Sequence, residues 1–96
     1  MMRLSSYLKS EFTKAGKKAF GECSMILFGS RVDDSKRGGD FDISIHADMT
    51  PKEFRKAKAV FMKHLLLKDL DLPVDLVLYE AANDLLKSEI DKGVKI

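Results

Sequence analysis

The sequence predicts an α/β fold, in which helices flank a small, mixed β-sheet of about three strands. Helix-capping residues and apolar residues at helical spacing mark three segments,. Three short runs rich in apolar residues, bounded by glycine or proline, are typical of strands,. The order along the chain is helix, strand, strand, helix, strand, helix, which favours an α/β layer structure. No linker-like stretch divides the 96 residues, so we expect a single domain over residues 1–96,.

The N-terminal part of the chain predicts a helix followed by a buried strand. Ser5 or Ser6 can cap the helix, and Gly21 ends it,. One face of this helix is rich in lysine, and the other carries an apolar stripe. The stripe consists of Leu4, Leu8, Phe12, Ala15 and Ala19. The segment "CSMILF" (residues 23–28) is short, apolar and flanked by glycines, which predicts the first strand,.

The segment "DFDISIH" (residues 40–46) predicts a second strand that is polar on one face only. Its residues alternate, so that successive side chains point to opposite faces of a sheet. One face carries Phe41, Ile43 and Ile45, and the other carries Asp40, Asp42, Ser44 and His46. The second strand is therefore expected to pack one side against the core.

A second helix is predicted from its capping residues and its apolar stripe. Thr50 and Glu53 have the spacing of a capping box, and Pro51 falls in the first turn,. The helix should end near Asp69,. Its expected buried residues are Phe54, Ala57, Phe61 and Leu65,.

The C-terminal part of the chain predicts a third strand and a last helix. The segment "PVDLVLY" (residues 73–79) is apolar on both faces apart from Asp75, which is expected of a strand covered on both sides,. The segment "AANDLLKSEIDKG" (residues 81–93) has the pattern of a helix,.

Charge and composition narrow the classes of partner and compartment. The net charge of +2 is too balanced to predict nucleic-acid or membrane binding from the long-range field alone,. The single cysteine cannot form an internal disulfide,. No apolar run approaches the roughly 18 residues that a membrane span requires, and no signal-peptide core is found at the N-terminus,. We therefore expect a cytoplasmic protein.

Three aspartates in predicted strands require a physical reason. Asp40 and Asp42 project from one face of the second strand and are close enough to share a divalent ion,. Without an ion they would repel by about 4 kcal/mol at ~4 Å and an effective dielectric near 20. Asp75 lies in the most apolar strand, where an unpaired charge is costly,. Oxygen ligands alone favour Mg²⁺ or Mn²⁺. The alternative is that Asp75 is a capping or turn residue that never meets the other two.

The turn after the first strand has features of a phosphate site. Gly29 lets backbone amides approach a phosphate closely, and the hydroxyl of Ser30 adds a donor, although such pairs also occur in ordinary surface turns,. Arg31, Lys36 and Arg37 follow in the loop and can donate charge-assisted hydrogen bonds, with Arg31 the best placed because it is adjacent to Ser30,. The alternative is a solvated basic loop.

Together, "GSRVDDSKRGGDFDISI" and the later "PVDLVL" resemble the signature of the nucleotidyltransferase superfamily that includes DNA polymerase β, in its minimal nucleotidyltransferase branch. The resemblance implies that Gly29 and Ser30 hold the triphosphate of a nucleotide. It also implies that Asp40 and Asp42 bind catalytic metal ions and that Asp75 completes the second metal site. One departure is the pair Gly38 and Gly39, where the family usually has a small hydroxyl residue before the Asp-x-Asp motif.

The resemblance implies a metal-dependent enzyme that transfers a nucleoside monophosphate, AMP from ATP, to an acceptor hydroxyl. Short members of the superfamily are similar in lacking an acceptor-binding domain, which implies a helical partner protein of the HEPN type and an antitoxin that nucleotidylates its toxin. Two alternatives remain open. The first alternative is a non-catalytic antitoxin that acts by occlusion. The second is an enzyme that modifies a small acceptor of the aminoglycoside kind, with a homo-oligomer completing its pocket.

Overall fold

The computed structural model of the chain describes residues 5–29, 41–70 and 73–96. Its helices are α1 (Ser6–Phe20), α2 (Pro51–Leu67), a 3₁₀ helix (Tyr79–Ala81) and α3 (Asp84–Asp91). Its strands are β1 (Ser24–Phe28), β2 (Phe41–His46), β3 (Val74–Leu78) and β4 (Val94–Lys95). The predicted α/β fold and the predicted order of helices and strands are confirmed, with a 3₁₀ helix between β3 and α3 and β4 added at the end.

The strands form one mixed sheet in the order β3-β2-β1-β4. β1 is antiparallel to both β2 and β4, whereas β2 and β3 run parallel. The sheet thus has four strands rather than about three. β4 was not predicted because its two residues are too few to show an alternating pattern,.

β3 departs from the prediction in its surroundings. It is an edge strand within the described sheet, with Asp75 exposed and Val74 and Val77 half-buried. The expectation of a strand covered on both faces is therefore wrong. The charge of Asp75 is exposed, so burial gives no reason for that residue to need a cation, and the case for its role rests on its neighbours instead.

The core lies between one face of the sheet and the helices α1 and α2. The rings of Phe12 in α1 and Phe41 in β2 meet edge to face at 5.5 Å between centroids. Phe20 of α1 stacks on Phe54 of α2 at 5.6 Å. All four residues of the predicted α2 stripe are buried. Of the α1 stripe, Phe12 and Ala15 are buried, Leu8 and Ala19 are partly buried, and Leu4 lies outside the described residues.

Helix ends are fixed by local hydrogen bonds. The Leu8 N–H donates to Ser5 Oγ at 3.1 Å, so Ser5 is the cap of α1. In the predicted capping box of α2, Glu53 N–H donates to Thr50 Oγ1 at 3.1 Å, and Thr50 N–H donates to Glu53 Oε1 at 2.8 Å. α3 begins later than predicted because Asn83 caps it, and it ends at Asp91. No helix in the described ranges is long and apolar enough to cross a bilayer.

The second face of the sheet is covered as well. Ser44 points away from Ile43 and Ile45, yet it is fully buried,. Helix α3 packs on β1, and its Ile90 is buried. Over β1 and β2 the sheet thus lies between the α1–α2 layer and α3, whereas the same face of β3 is open at Asp75.

Candidate active site

Asp42 and Asp75 lie side by side at one end of the sheet. They are register partners in the parallel strands β2 and β3. Register partners on neighbouring strands project from the same face, and such strands lie about 4.8 Å apart. Each aspartate is the second residue of its strand, so the pair lies where both strands begin. The structure therefore brings together two acids that are 33 positions apart in the sequence.

Gly29 approaches the carboxylate of Asp42 from the β1 side of β2. It directly follows β1, whose last residue, Phe28, pairs with Asp42 in the antiparallel register. Its φ of +80° lies in the left-handed region that favours glycine,. A Cβ at this position would collide with Oδ2 of Asp42. The backbone after β1 thus passes so close to the Asp42 carboxylate that only glycine fits there.

The remaining predicted site residues, Ser30, Arg31 and Asp40, lie outside the described residues, as do Lys36 and Arg37. Within residues 5–29, 41–70 and 73–96, no three His, Cys, Asp or Glu side chains are grouped to hold a metal ion. The described part of the candidate site is thus a pair of carboxylates.

That pair fits a hard divalent cation. Both donors are carboxylate oxygens, which suit Mg²⁺ and Mn²⁺ better than softer metals. The space beside Asp42 Oδ2 is one that a side chain on Gly29 would fill. Asp42 is half-buried and Asp75 is exposed, so a molecule arriving from solvent reaches Asp75 first. Asp42 and Asp75 would hold such a cation through their carboxylate oxygens, and Asp75 would remain open to a second reactant from solvent.

A row of polar residues continues from Asp42 along β2. Ser44 Oγ lies 3.3 Å from Nε2 of His46, and the His46 ring stacks on Tyr79 at 4.3 Å between centroids. The Tyr79 hydroxyl donates to Asp91 Oδ1 at 3.2 Å. Burial lowers the pKa of His46, which favours the neutral imidazole,. His46 is four residues from Asp42, about 13 Å along the strand, so it supports the packing of α3 and is no ligand of the pair.

A buried polar contact between α1 and α2 was not expected from the sequence. Glu11 is only 4% exposed, and its Oε1 lies 3.1 Å from Nε2 of His64. The hydrogen bond with His64 holds the pKa of Glu11 below its ordinary value, against the effect of burial. The sequence did carry a signal, since Glu11 precedes Phe12 and lies four residues before Ala15 on the buried face of α1. A charge within an apolar stripe indicates a partner on the facing element.

Comparison with known proteins agrees with this geometry. A family model described as nucleotidyltransferase domain matches residues 6–96 of the chain. The match begins with α1 and continues through the end of β4, so it spans every element of the fold. No curated protein matches the chain.

Proposed function

The chain belongs to the nucleotidyltransferase domain family, and from this premise we propose that it transfers AMP from ATP to a hydroxyl group of a partner protein. The observation that carries this proposal is the in-register pair Asp42 and Asp75, with the backbone of Gly29 against it.

The residues of the candidate site have distinct roles in the proposed reaction. Asp42 and Asp75, together with Asp40, would hold the divalent cations, and the backbone at Gly29 would approach the triphosphate. A bound pair of Mg²⁺ ions would lower the pKa of the attacking hydroxyl and neutralise charge on the leaving pyrophosphate. Exposed Asp75 is the carboxylate that an acceptor can reach, and it accepts a hydrogen bond from the acceptor hydroxyl,.

The proposed transfer balances as a single displacement. The acceptor oxygen forms a bond to the α-phosphorus while the bond from that phosphorus to the bridging oxygen breaks. Pyrophosphate leaves, and the hydroxyl proton passes to a carboxylate oxygen of Asp75. The products are AMP joined to the acceptor and free pyrophosphate, so no further reactant is needed.

We further propose that the acceptor is a helical protein of the HEPN type and that the chain acts as its antitoxin. This step is supported by the likeness of the Gly29–Ser30, Asp40–Asp42 and Asp75 motif to that of minimal nucleotidyltransferases. Incubation with α-labelled ATP, Mg²⁺ and the protein encoded beside this chain tests it. Label on that protein supports transfer, whereas a complex without label supports occlusion.

Asp75→Asn and Asp48→Asn form a matched pair for the site itself, because each removes one exposed acid and Asp48 lies beyond the far end of β2. We expect Asp75→Asn to abolish transfer and Asp48→Asn to retain it. A second readout needs no acceptor. Mg²⁺ with a non-hydrolysable ATP analogue should raise the Tm of the wild type and of Asp48→Asn, but raise that of Asp75→Asn much less. Normal transfer by Asp75→Asn would rule out the role given to this residue.

A further inference from the structure

An apolar groove lies beside the edge strand of the sheet. Its volume is about 290 Å³. It is bounded by the first turns of α2, the second half of β3, the 3₁₀ helix and α3. Its lining residues are Pro51, Phe54, Arg55, Val77, Leu78, Ala81, Ala82 and Leu86. We call it the β3 groove. Because it straddles the sheet edge, its walls come from both layers that cover the sheet.

The β3 groove lies next to the candidate active site. Val77, which lines the groove, and Asp75 point to the same face of β3 and are two residues apart, about 7 Å along the strand,. A molecule that contacts Val77 is thus one side-chain spacing from the carboxylate proposed to receive the acceptor hydroxyl. The groove and the carboxylate are therefore neighbours on the same face of β3.

The edge of β3 favours a polypeptide as the occupant. In the described sheet β3 pairs with β2 alone, so its other side presents backbone donors and acceptors,. An extended segment can satisfy these groups and place alternate side chains in an adjoining apolar groove. A small molecule could fill the groove but would leave most of the strand edge unused.

Charge selects an acidic occupant. Among the described residues that line the β3 groove, Arg55 alone is charged. Arg55 belongs to a strongly basic layer formed by α1, α2 and their flanks, residues 5–22 and 50–69. This layer holds ten Lys and Arg and four Asp and Glu, which gives a net charge of +6. The other described residues hold three basic and seven acidic side chains, a net charge of −4. The groove therefore lies at the border of these two regions with a cation at its rim.

We propose that the β3 groove is the docking surface for the acceptor protein, which enters as an extended segment with apolar side chains, an acidic residue opposite Arg55 and a hydroxyl residue beside Asp75. This inference rests on the proposed function for the role of Asp75. A second copy of the chain is a poorer occupant, because an isologous contact would bring two grooves, each with its own Arg55, face to face and would cover Asp75.

Random peptides of about twelve residues, displayed on phage and selected on the wild-type protein without nucleotide or metal, provide the probe. We expect the enriched peptides to combine apolar residues at alternate positions with at least one Asp or Glu. The best peptide, made with a fluorescent label, is then titrated by anisotropy against Leu86→Ser and Leu85→Ser. Leu86 lines the groove, whereas Leu85 is 77% exposed and does not. Leu86→Ser should weaken binding by about tenfold and Leu85→Ser by less than about threefold.

A charge exchange tests the proposed contact with Arg55. Arg55→Glu should weaken binding of the acidic peptide by about tenfold or more, and a peptide in which the acidic residue is replaced by lysine should recover affinity for this variant. Lys63→Glu is the matched control, because it makes the same charge change at an exposed position of α2 outside the groove. It should leave the peptide preference unchanged.

The proposed docking surface is wrong if no peptide is enriched or if Leu86→Ser and Leu85→Ser bind the peptide equally well. It is also wrong if the wild type is a dimer that Leu86→Ser dissociates, because a second copy would then be the occupant. Because binding is measured without nucleotide, these outcomes are separate from the proposed chemistry. A chain that binds the peptide in this way but transfers no AMP would retain the docking surface and lose the proposed function.

Discussion

Asp42 and Asp75 owe their proposed role to position rather than to burial. Asp75 is exposed on an edge strand, so its charge alone destabilises the fold little,. Its significance comes from the parallel pairing of β2 and β3, which sets it beside Asp42 on one face. The residue types were visible in the sequence, but their meeting depended on which strands pair, which is decided by long-range contacts.

Gly29→Ala tests the close approach of the backbone to Asp42. Both Gly29 and Gly21 have positive φ, at +80° and +70°, so an alanine at either site should destabilise the protein by about 1–3 kcal/mol,. Only at Gly29 would the added Cβ collide with the Asp42 carboxylate, because nothing lies within 4 Å of a Cβ at Gly21. We therefore expect Gly29→Ala to lose nucleotide binding and transfer, and Gly21→Ala to keep both. Urea unfolding and calorimetric titration with an ATP analogue measure the two effects.

The outcome that contradicts this prediction is a Gly29→Ala variant with the stability loss of Gly21→Ala and normal nucleotide binding. Such a result would mean that the Asp42 side chain moves away from the new methyl group without consequence. The orientation of Asp42 would then have no part in the site.

At the scale of elements, features that depend on nearby residues could be predicted from the sequence, whereas features that depend on strand order could not. α2 followed from a capping box and a buried stripe, both of which lie within a few residues of sequence,. The edge position of β3 and the existence of β4 depend on strand order instead. The same apolar sequence pattern occurs in central strands and in edge strands that border an apolar groove. The pattern of β3 therefore predicts a covered strand, whereas the structure has an open edge there.

Thr50→Ala should loosen the start of α2. The Thr50 hydroxyl accepts the Glu53 N–H, and loss of such a cap costs about 1 kcal/mol,. The first turns of α2 also carry Pro51, Phe54 and Arg55 of the β3 groove, so peptide binding should weaken together with stability. Thr13→Ala is the control, because the Thr13 hydroxyl donates to Lys9 O within α1 and caps no helix. Its free energy of unfolding should change by less than about 0.5 kcal/mol.

The contact between Glu11 and His64 predicts acid sensitivity of the α1–α2 pair. The pKa of Glu11 is lowered first by the hydrogen bond with His64 and then by the charges of Lys14, Lys68 and His64. A lowered pKa means that the ionised carboxylate stabilises the fold. This stabilisation is complete above the ordinary glutamate value of 4.5 and is lost as the pH falls through the lowered pKa.

Urea unfolding of the wild type and of Glu11→Gln between about pH 3 and pH 6 measures this effect. The stability advantage of the wild type should shrink as the pH falls below 4.5. Glu22→Gln removes an exposed acid at the end of α1 and should show no such trend. An advantage that stays constant over the whole range would show that the charge of Glu11 contributes nothing to holding the two helices together.

At the scale of the whole molecule, the nearly neutral net charge hides a strong separation. The sequence total of +2 indicates a weak long-range field, but the fold places a net +6 on the α1–α2 side and −4 on the remaining described residues. Composition could not reveal this division, because acidic and basic residues are sorted by element and only the packing of the elements puts them on opposite sides. The field of the molecule is therefore directional.

This separation predicts that an acidic peptide is steered to the β3 groove by charges that never touch it. Lys9→Glu, Lys17→Glu and Lys18→Glu together change the charge of the basic layer from +6 to zero at exposed positions outside the groove. Distant charges act on association more than on dissociation, so the triple variant should bind the enriched peptide with a several-fold lower association rate and an unchanged dissociation rate. The difference should vanish at about 0.5 M salt, where screening shortens the reach of these charges to about 4 Å. Stopped-flow fluorescence at low and high salt measures the association and dissociation rates separately. A change confined to the dissociation rate would mean that these lysines act by direct contact. The electrostatic field of the helix layer would then have no part in recognition.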